Sequence, residues 1–188
     1  MSVIAVVPAA GRGERFGGNK LLARIKGEPL IDWTLWSLLD GGVTRVIVVT
    51  APTTDLTGAR MMADPRVRFV VNPDPSLGML SSVQTGVAAA DGGDPILILP
   101  GDMPFVASST VTAVTVACIR QQCVVVPTFN QQRGHPIAVP AAHRDAILLA
   151  FPDATLKAAL AAIAVPRLEL PVGDMGILRD VDSPEDLR

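Results

Sequence analysis

The sequence predicts a single-domain α/β protein, a three-layer sandwich in which helices cover both faces of a mostly parallel sheet. Three observations carry this. The 188 residues suit one domain, and with 49% apolar and only 18% charged residues such a chain can bury about 70% of its unfolded surface. Short β-branched runs recur along it, continuously apolar instead of alternating, which means that both strand faces are covered. Helical stretches of ten or more residues separate these runs, the spacing of β-α-β units.

In order, Val3 to Val7 reads as the first strand and Leu30 to Asp40 as the first helix. Strand Arg45 to Thr50, helix Thr54 to Met62 and strand Val67 to Val71 follow. Helix Met79 to Ala90, strand Ile96 to Leu99, helix Ser108 to Ile119 and strand Val124 to Val126 complete the regular pattern. Gly134-His135-Pro136 then interrupts it. A strand from Ile137 to Val139, an Ala-rich helix from Ala154 to Ile163 and a strand from Gly176 to Asp182 make an elaborated C-terminal third. Ser183 caps a last helix that has Pro184 at its first position. The whole chain, 1–188, reads as a single domain.

Several classes are excluded. A formal charge of −2 gives no electrostatic basis for gripping nucleic acid. Each apolar run is broken well short of the ~20 residues a membrane crossing needs, so no membrane association is expected. Met1-Ser2-Val3-Ile4 lacks a basic region before its apolar stretch, and cytoplasmic placement is the expectation. Cys118 and Cys123 lie five apart, the wrong spacing for a C-x-x-C hook, and read as buried free thiols. Trp33 and Trp36, three apart on one helix face, read as packing residues.

The chemistry concentrates in a few segments. Val7-Pro8-Ala9-Ala10-Gly11-Arg12-Gly13-Glu14-Arg15-Phe16-Gly17-Gly18-Asn19-Lys20 leads from a strand into a loop with four Gly and three cations. Glycine lets backbone N–H groups approach a phosphate, and Arg or Lys neutralises its charge. Phe16 occupies the third glycine position of a dinucleotide fingerprint, and Lys20 lacks the flanking residues of a Walker A loop. Asp102, in Leu99-Pro100-Gly101-Asp102-Met103-Pro104, follows a buried strand where open α/β sheets place ligands, and can hold Mg²⁺ against phosphate oxygens. In Arg179-Asp180-Val181-Asp182-Ser183-Pro184-Glu185-Asp186-Leu187, Asp180 and Asp182 alternate on one strand. They then point to opposite faces, and only one easily reaches a shared metal. Asn72-Pro73 precedes Gly78-Met79-Leu80-Ser81-Ser82-Val83, whose hydroxyls and backbone groups at a helix N-terminus can read a base edge.

Taken together, these segments resemble the molybdenum-cofactor nucleotidyltransferase family. Ala9 to Lys20 is similar to its A-A-G-x-G-x-R-x-G-x-x-K signature with one extra residue, and Gly101 to Pro104 to its G-D-M-P motif. Asp180 to Leu187 is similar to D-I-D-T-P-E-D-L, Asn72 to Val83 to N-P…G-M-x-S-S-L, and Gly134-His135-Pro136 to the G-H-P element of the cytidylyl branch. The resemblance implies a Rossmann-like, nucleotide-diphospho-sugar-transferase-like fold and an Mg²⁺-dependent enzyme. It transfers CMP from CTP to a phosphate monoester of the molybdopterin type and releases pyrophosphate. Ala9, Ala10, Gly11, Arg12 and Gly13 then wrap the nucleotide, Arg15 and Lys20 join Asp102 in catalysis, and Gly78 and Ser82 face the base. His135 lies beside the acceptor, and Asp180, in preference to Asp182, is the second metal ligand. Where that branch carries G-D-x-G-A-R, this chain reads Ala150-Phe151-Pro152-Asp153-Ala154-Thr155, which leaves the acceptor open. Alternatives are a guanylyltransferase using GTP, a sugar- or polyol-phosphate cytidylyl- or uridylyltransferase, and a noncatalytic pterin-cofactor carrier. A transient contact with a molybdoenzyme or its chaperone is the implied protein partner.

Overall fold

The computed structural model describes residues 2–11, 16, 19–90, 92–151, 154–162 and 166–187. Strand β1 (Ile4–Ala9) lies inside the sheet, paired in parallel with β4 (Arg45–Thr50) on one side and β6 (Ile96–Ile98) on the other. Between β1 and β4 come a short hairpin, β2 (Arg24–Ile25) with β3 (Glu28–Pro29), and helix α1 (Leu30–Asp40). The hairpin turns at Lys26 and Gly27, both at positive φ, the backbone form of the tightest hairpin turns. Strand β5 (Val67–Val71) pairs in parallel with β4, and helix α2 (Met79–Ala89) leads back to β6 on the far side of β1. The sheet therefore reverses its direction of growth between β1 and β6, the point where open α/β sheets open a crevice.

Helix α3 (Ser108–Gln121) leads to β7 (Val124–Phe129), which turns through β8 (Gln132–Arg133) into β9 (Ile137–Val139). Strand β9 runs antiparallel and inserts between β6 and β7. Helices α4 (Arg144–Leu148) and α5 (Leu156–Ala161) follow, and β10 (Arg167–Pro171) closes the edge in parallel with β7. The full order is β10-β7-β9-β6-β1-β4-β5, with β8 attached to β7. Parallel pairs dominate, and β9 is the reversed strand on that path.

Two cores sandwich the sheet. One face of β1, with Ala5 and Val7, packs with Leu35 and Leu38 of α1 and Val111 and Val114 of α3; the other, with Ile4 and Val6, packs with Leu80 and Val83 of α2, Ile147 of α4 and Leu160 of α5. All these side chains are buried, each worth about 1.5–3 kcal/mol for the larger aliphatics. Gly86 sits where a Cβ would overlap Val6, so α2 lies unusually close to the sheet. None of the helices among the described residues is long and apolar enough to cross a membrane.

Three sequence expectations need correction. The Thr54 to Met62 stretch is a loop ending in a 3₁₀ turn, Arg60–Ala63. The buried Asp32 carboxylate of α1 accepts the Arg60 and Met61 N–H groups at 2.8 and 3.1 Å, a tertiary anchor that overrides local helix propensity. Gly176 to Asp182 is no strand: Asp174 accepts the Gly176 N–H at 2.8 Å and starts a 3₁₀ turn, Met175–Leu178, after which the chain runs without sheet pairing. The C-terminal Ala-rich helix is Leu156–Ala161, opened by the Thr155 hydroxyl accepting from Ala158 N–H; its expected end at Ile163 lies outside the described residues.

Candidate nucleotidyl-transfer site

The parallel strands β1, β4, β5 and β6 all deliver their following loops to one edge of the sheet. At the reversal point, the Gly101 N–H donates to the Pro8 carbonyl at 2.9 Å, which fastens the loop carrying Asp102 to the end of β1. A Cβ on Gly101 would crowd Ile31 and the end of β1. Asp102 does not cap α3. That role belongs to Asp174, which accepts from Ala107 N–H and the Thr110 hydroxyl at 2.8 Å each.

Lys20 Nζ donates to Asp102 at 2.8 Å and to Asp182 at 3.2 Å. Burial lowers the Lys20 pKa, but hydrogen bonds and Coulomb attraction from Asp102, then Asp182, outweigh it and hold the ammonium above 10.5. Lys20 therefore stays charged at any physiological pH. Asp182 arrives here because the buried Val181 anchors the C-terminal segment, its N–H donating to the Asp102 carbonyl at 2.9 Å. Asp186 then accepts from Asp182 N–H, Ser183 N–H and the Ser183 hydroxyl at 2.8–3.0 Å. These bonds, those of Ser183 foremost, lower the Asp186 pKa. Asp180, on the other side of Val181, lines a separate cavity. The strand on which the two acidic residues were expected to alternate is absent; Asp182 reaches Lys20, and Asp180 lines a cavity that Asp102 also lines.

Three cavities meet at Asp102. The first, about 340 Å³, is bounded by Ala9, Ala10, Gly11, Lys20 and the loop Thr53-Thr54-Asp55. Asn19 closes it from outside by donating through its side-chain amide to the Asp55 carbonyl. The second, about 260 Å³, runs from Ala10 and Gly11 to Gly78 and Ser82. Its wall is rigid: Asn72 donates from one amide nitrogen to the Ser81 and Ser82 hydroxyl oxygens at 2.8 and 3.0 Å. Ser82 Oγ accepts there, which leaves its own proton to donate to a ligand. Gly78, at φ +93, turns the chain into α2 with a conformation that favours glycine. The third cavity, about 350 Å³, holds Asp102, Asp180, Gly134 and His135.

His135 is fixed by its neighbours. A Cβ on Gly134 would collide with the Ile177 carbonyl, and His135 N–H donates to that same carbonyl at 3.1 Å. Burial pushes the imidazole pKa from 6.5 down to about 4, and Asp102 opposes this only in part. The ring is neutral at pH 7, and its Nε2 is buried without a hydrogen-bond partner.

The structure thus brings together Ala9, Ala10, Gly11, Lys20, Gly78, Ser82, Asp102, His135, Asp180 and Asp182 around one junction. Arg12, Gly13 and Arg15 lie outside the described residues. Sequence reasoning missed Thr53, Thr54 and Asp55, having read a helix from Thr54 onward. Their place directly after a parallel strand was the available signal.

Asp102 and Asp182 converge on one cation already, the Lys20 ammonium, and so form a donor pair that fits a hard divalent ion completed by phosphate oxygens. No group of three or more His, Cys, Asp or Glu side chains placed to hold a metal occurs among the described residues. Such a pair therefore depends on the substrate for the rest of its ligands.

Comparison with known proteins gives the family. Residues 5–168 match the MobA-like NTP transferase domain. A nicotine blue oxidoreductase from Paenarthrobacter nicotinovorans is 33% identical over 153 residues, 77% of this chain and 74% of that protein. A probable molybdenum cofactor guanylyltransferase from Thermococcus kodakarensis is 32% identical over 117 residues, 62% of this chain, and the match spans 58% of that relative's length. A nucleotidyl transferase from Methanothermobacter superposes with TM-score 0.76 at 25% identity, covering 98% of this chain and 94% of that one. With the family match spanning most of the sheet and the loop that carries Asp102, the chain belongs to the MobA-like NTP transferase family, a family of nucleotidyltransferase enzymes.

Proposed function

We propose that this protein transfers CMP from CTP to a phosphate-monoester acceptor of the molybdopterin type, with Mg²⁺, and releases pyrophosphate. The observation that carries this is the position of Asp102, common to three cavities and joined through Lys20 to Asp182. A nucleotide needs a base pocket and a phosphate pocket, and a second substrate needs a third; the reacting phosphate belongs where they meet. The nucleotide side falls to about 1–106 and the acceptor side to about 107–188, except that the C-terminal turn returns Asp182 to Lys20.

Asp102 and Asp182 would hold Mg²⁺, with Asp180 facing the acceptor, and the ion would polarise the phosphoryl oxygens. The chain's own residues do the positioning. Backbone of Ala9, Ala10 and Gly11 lines the phosphate cavity and Lys20 balances phosphate charge, work that the family signature also assigns to Arg12, Gly13 and Arg15, and Ser82 donates to the base. Neutral His135 donates or accepts one hydrogen bond at the acceptor. The acceptor phosphate attacks the α-phosphorus as pyrophosphate leaves, so catalysis is mainly orientation and electrostatics.

The CTP assignment rests on the likeness of Gly134-His135-Pro136 and Gly78 to Val83 to the cytidylyl branch. The 32% identity to a probable guanylyltransferase favours GTP as the second reading. Melting the protein with Mg²⁺ and each nucleotide decides between them, since a ligand at 100 times its Kd stabilises by about 2.7 kcal/mol. The expected result is a rise with CTP exceeding that with GTP; a rise with GTP alone replaces the first reading by the second.

A further inference from the structure

Beyond His135 the acceptor cavity opens into a second chamber of about 320 Å³, and the two share Met79, Arg133, Gly134 and His135. The floor of this chamber is aliphatic, made by Val126 of β7, Ile137 of β9, and Leu156 and Leu160 of α5. Lys157 and Arg167 line this chamber but not the acceptor cavity. Arg133, at the shared mouth, is already paired with Glu169. Among the described residues, four buried side-chain nitrogen or oxygen atoms lack a hydrogen-bond partner, and two of them, His135 Nε2 and Arg167 Nε, belong to residues lining this one chamber. Lys157 makes no ion pair with any described residue. A buried polar atom without a partner is costly to the folded protein, and two around one apolar space point to a ligand that satisfies both.

We propose that the acceptor is two-ended: a phosphate monoester on an apolar ring or chain whose far end carries a second anion. The aliphatic chamber takes the body, His135 bonds it in passing, and Lys157 and Arg167 take the distal anion. A neutral ligand would leave the buried Arg167 Nε without an anion to bond, and a short polar ligand such as a triose phosphate would leave the aliphatic floor wet. This rests on the transferase reading and narrows its acceptor from phosphate monoesters in general to those with a second, distal anion.

The test is calorimetric titration with three probes: glycerol 3-phosphate, 2-naphthyl phosphate and 6-carboxy-2-naphthyl phosphate, after CTP-Mg²⁺ and GTP-Mg²⁺ binding has been measured on the same wild-type preparation. Naphthyl phosphate should bind roughly tenfold or more tightly than glycerol phosphate through apolar burial. The carboxylate should add about another tenfold through charge-assisted hydrogen bonds. That second gain should shrink in both Arg167→Gln and Lys157→Gln, the latter an exposed position whose change leaves the fold untouched. Equal affinity for the glycerol and naphthyl esters, or a carboxylate gain undiminished in both variants, overturns the two-ended acceptor while nucleotide binding still stands. A wild-type protein that binds neither nucleotide overturns the transferase reading, and this inference with it.

Discussion

Lys20 pairs with Asp102 and Asp182, the two carboxylates proposed above to hold a divalent ion, at 2.8 and 3.2 Å. The ammonium and a metal therefore compete until a triphosphate draws the lysine away. Lys20→Ala should bind Mn²⁺ about tenfold more tightly than wild type without nucleotide, an effect of the size expected for one partly buried opposing charge. CTP binding in the same variant should weaken more than CMP binding. Electron paramagnetic resonance of free Mn²⁺ reads the first effect; unchanged or weaker Mn²⁺ affinity would show that the carboxylates do not meet at a cation site. His135 makes a separate prediction about acid stability. Burial lowers its pKa from 6.5 to about 4, so between those values the unfolded chain binds a proton that the folded chain does not. Stability must then fall as the pH drops through that window, by up to about 3 kcal/mol for this one residue. His135→Gln should lose less stability between pH 7 and pH 4.5 in urea titrations than wild type does; an equal loss in both would mean that the imidazole is hydrated.

The β8–β9 arm and the 3₁₀ turn at Met175–Leu178 meet with no room to spare at Gly134, where any Cβ would strike the Ile177 carbonyl. Gly134→Ala must push these elements apart, and it should destabilise by about 1–3 kcal/mol, the usual cost of overpacking. The acceptor KM should rise while nucleotide affinity, built on β1, β6 and α2, stays near wild type; a melting point and acceptor KM both unaltered would refute the contact. The same elements show what the sequence disclosed. Strands β1, β4, β5 and β6 and helices α1, α2 and α3 were legible within a few residues because their continuous apolar runs and helical spacing are local signals. Strand β10 and the loop after β4 were not. Arg167–Pro171 is short, mixed in polarity and set by its pairing with β7, and the loop is set by Asp32, more than 20 residues away in sequence. At the site, Lys20, Ser82, Asp102 and His135 could be read from motifs, whereas the choice of Asp182 over Asp180 beside Lys20 depends on the burial of Val181 and the turn held by Asp186.

Across the whole molecule, the reversal of strand order between β1 and β6 puts three cavities at one carboxylate, and the C-terminal turn brings a second carboxylate back to it. That arrangement suits transfer of a phosphorus group between two bound substrates. Hydride transfer would have no use for a lysine-bridged acidic pair, although a relative at 33% identity is a nicotine blue oxidoreductase. The decisive measurement is pyrophosphate release with CTP or GTP, Mg²⁺ and a panel of phosphate monoesters that includes molybdopterin, run for wild type and Asp102→Asn with reduced-nicotinamide oxidation followed in parallel. The expected result is one pyrophosphate per nucleotidylated product, a drop on the order of 10²-fold in the variant, and no nicotinamide consumption. Oxidation of the nicotinamide without pyrophosphate, or a variant within about threefold of wild type, would contradict nucleotidyl transfer at Asp102.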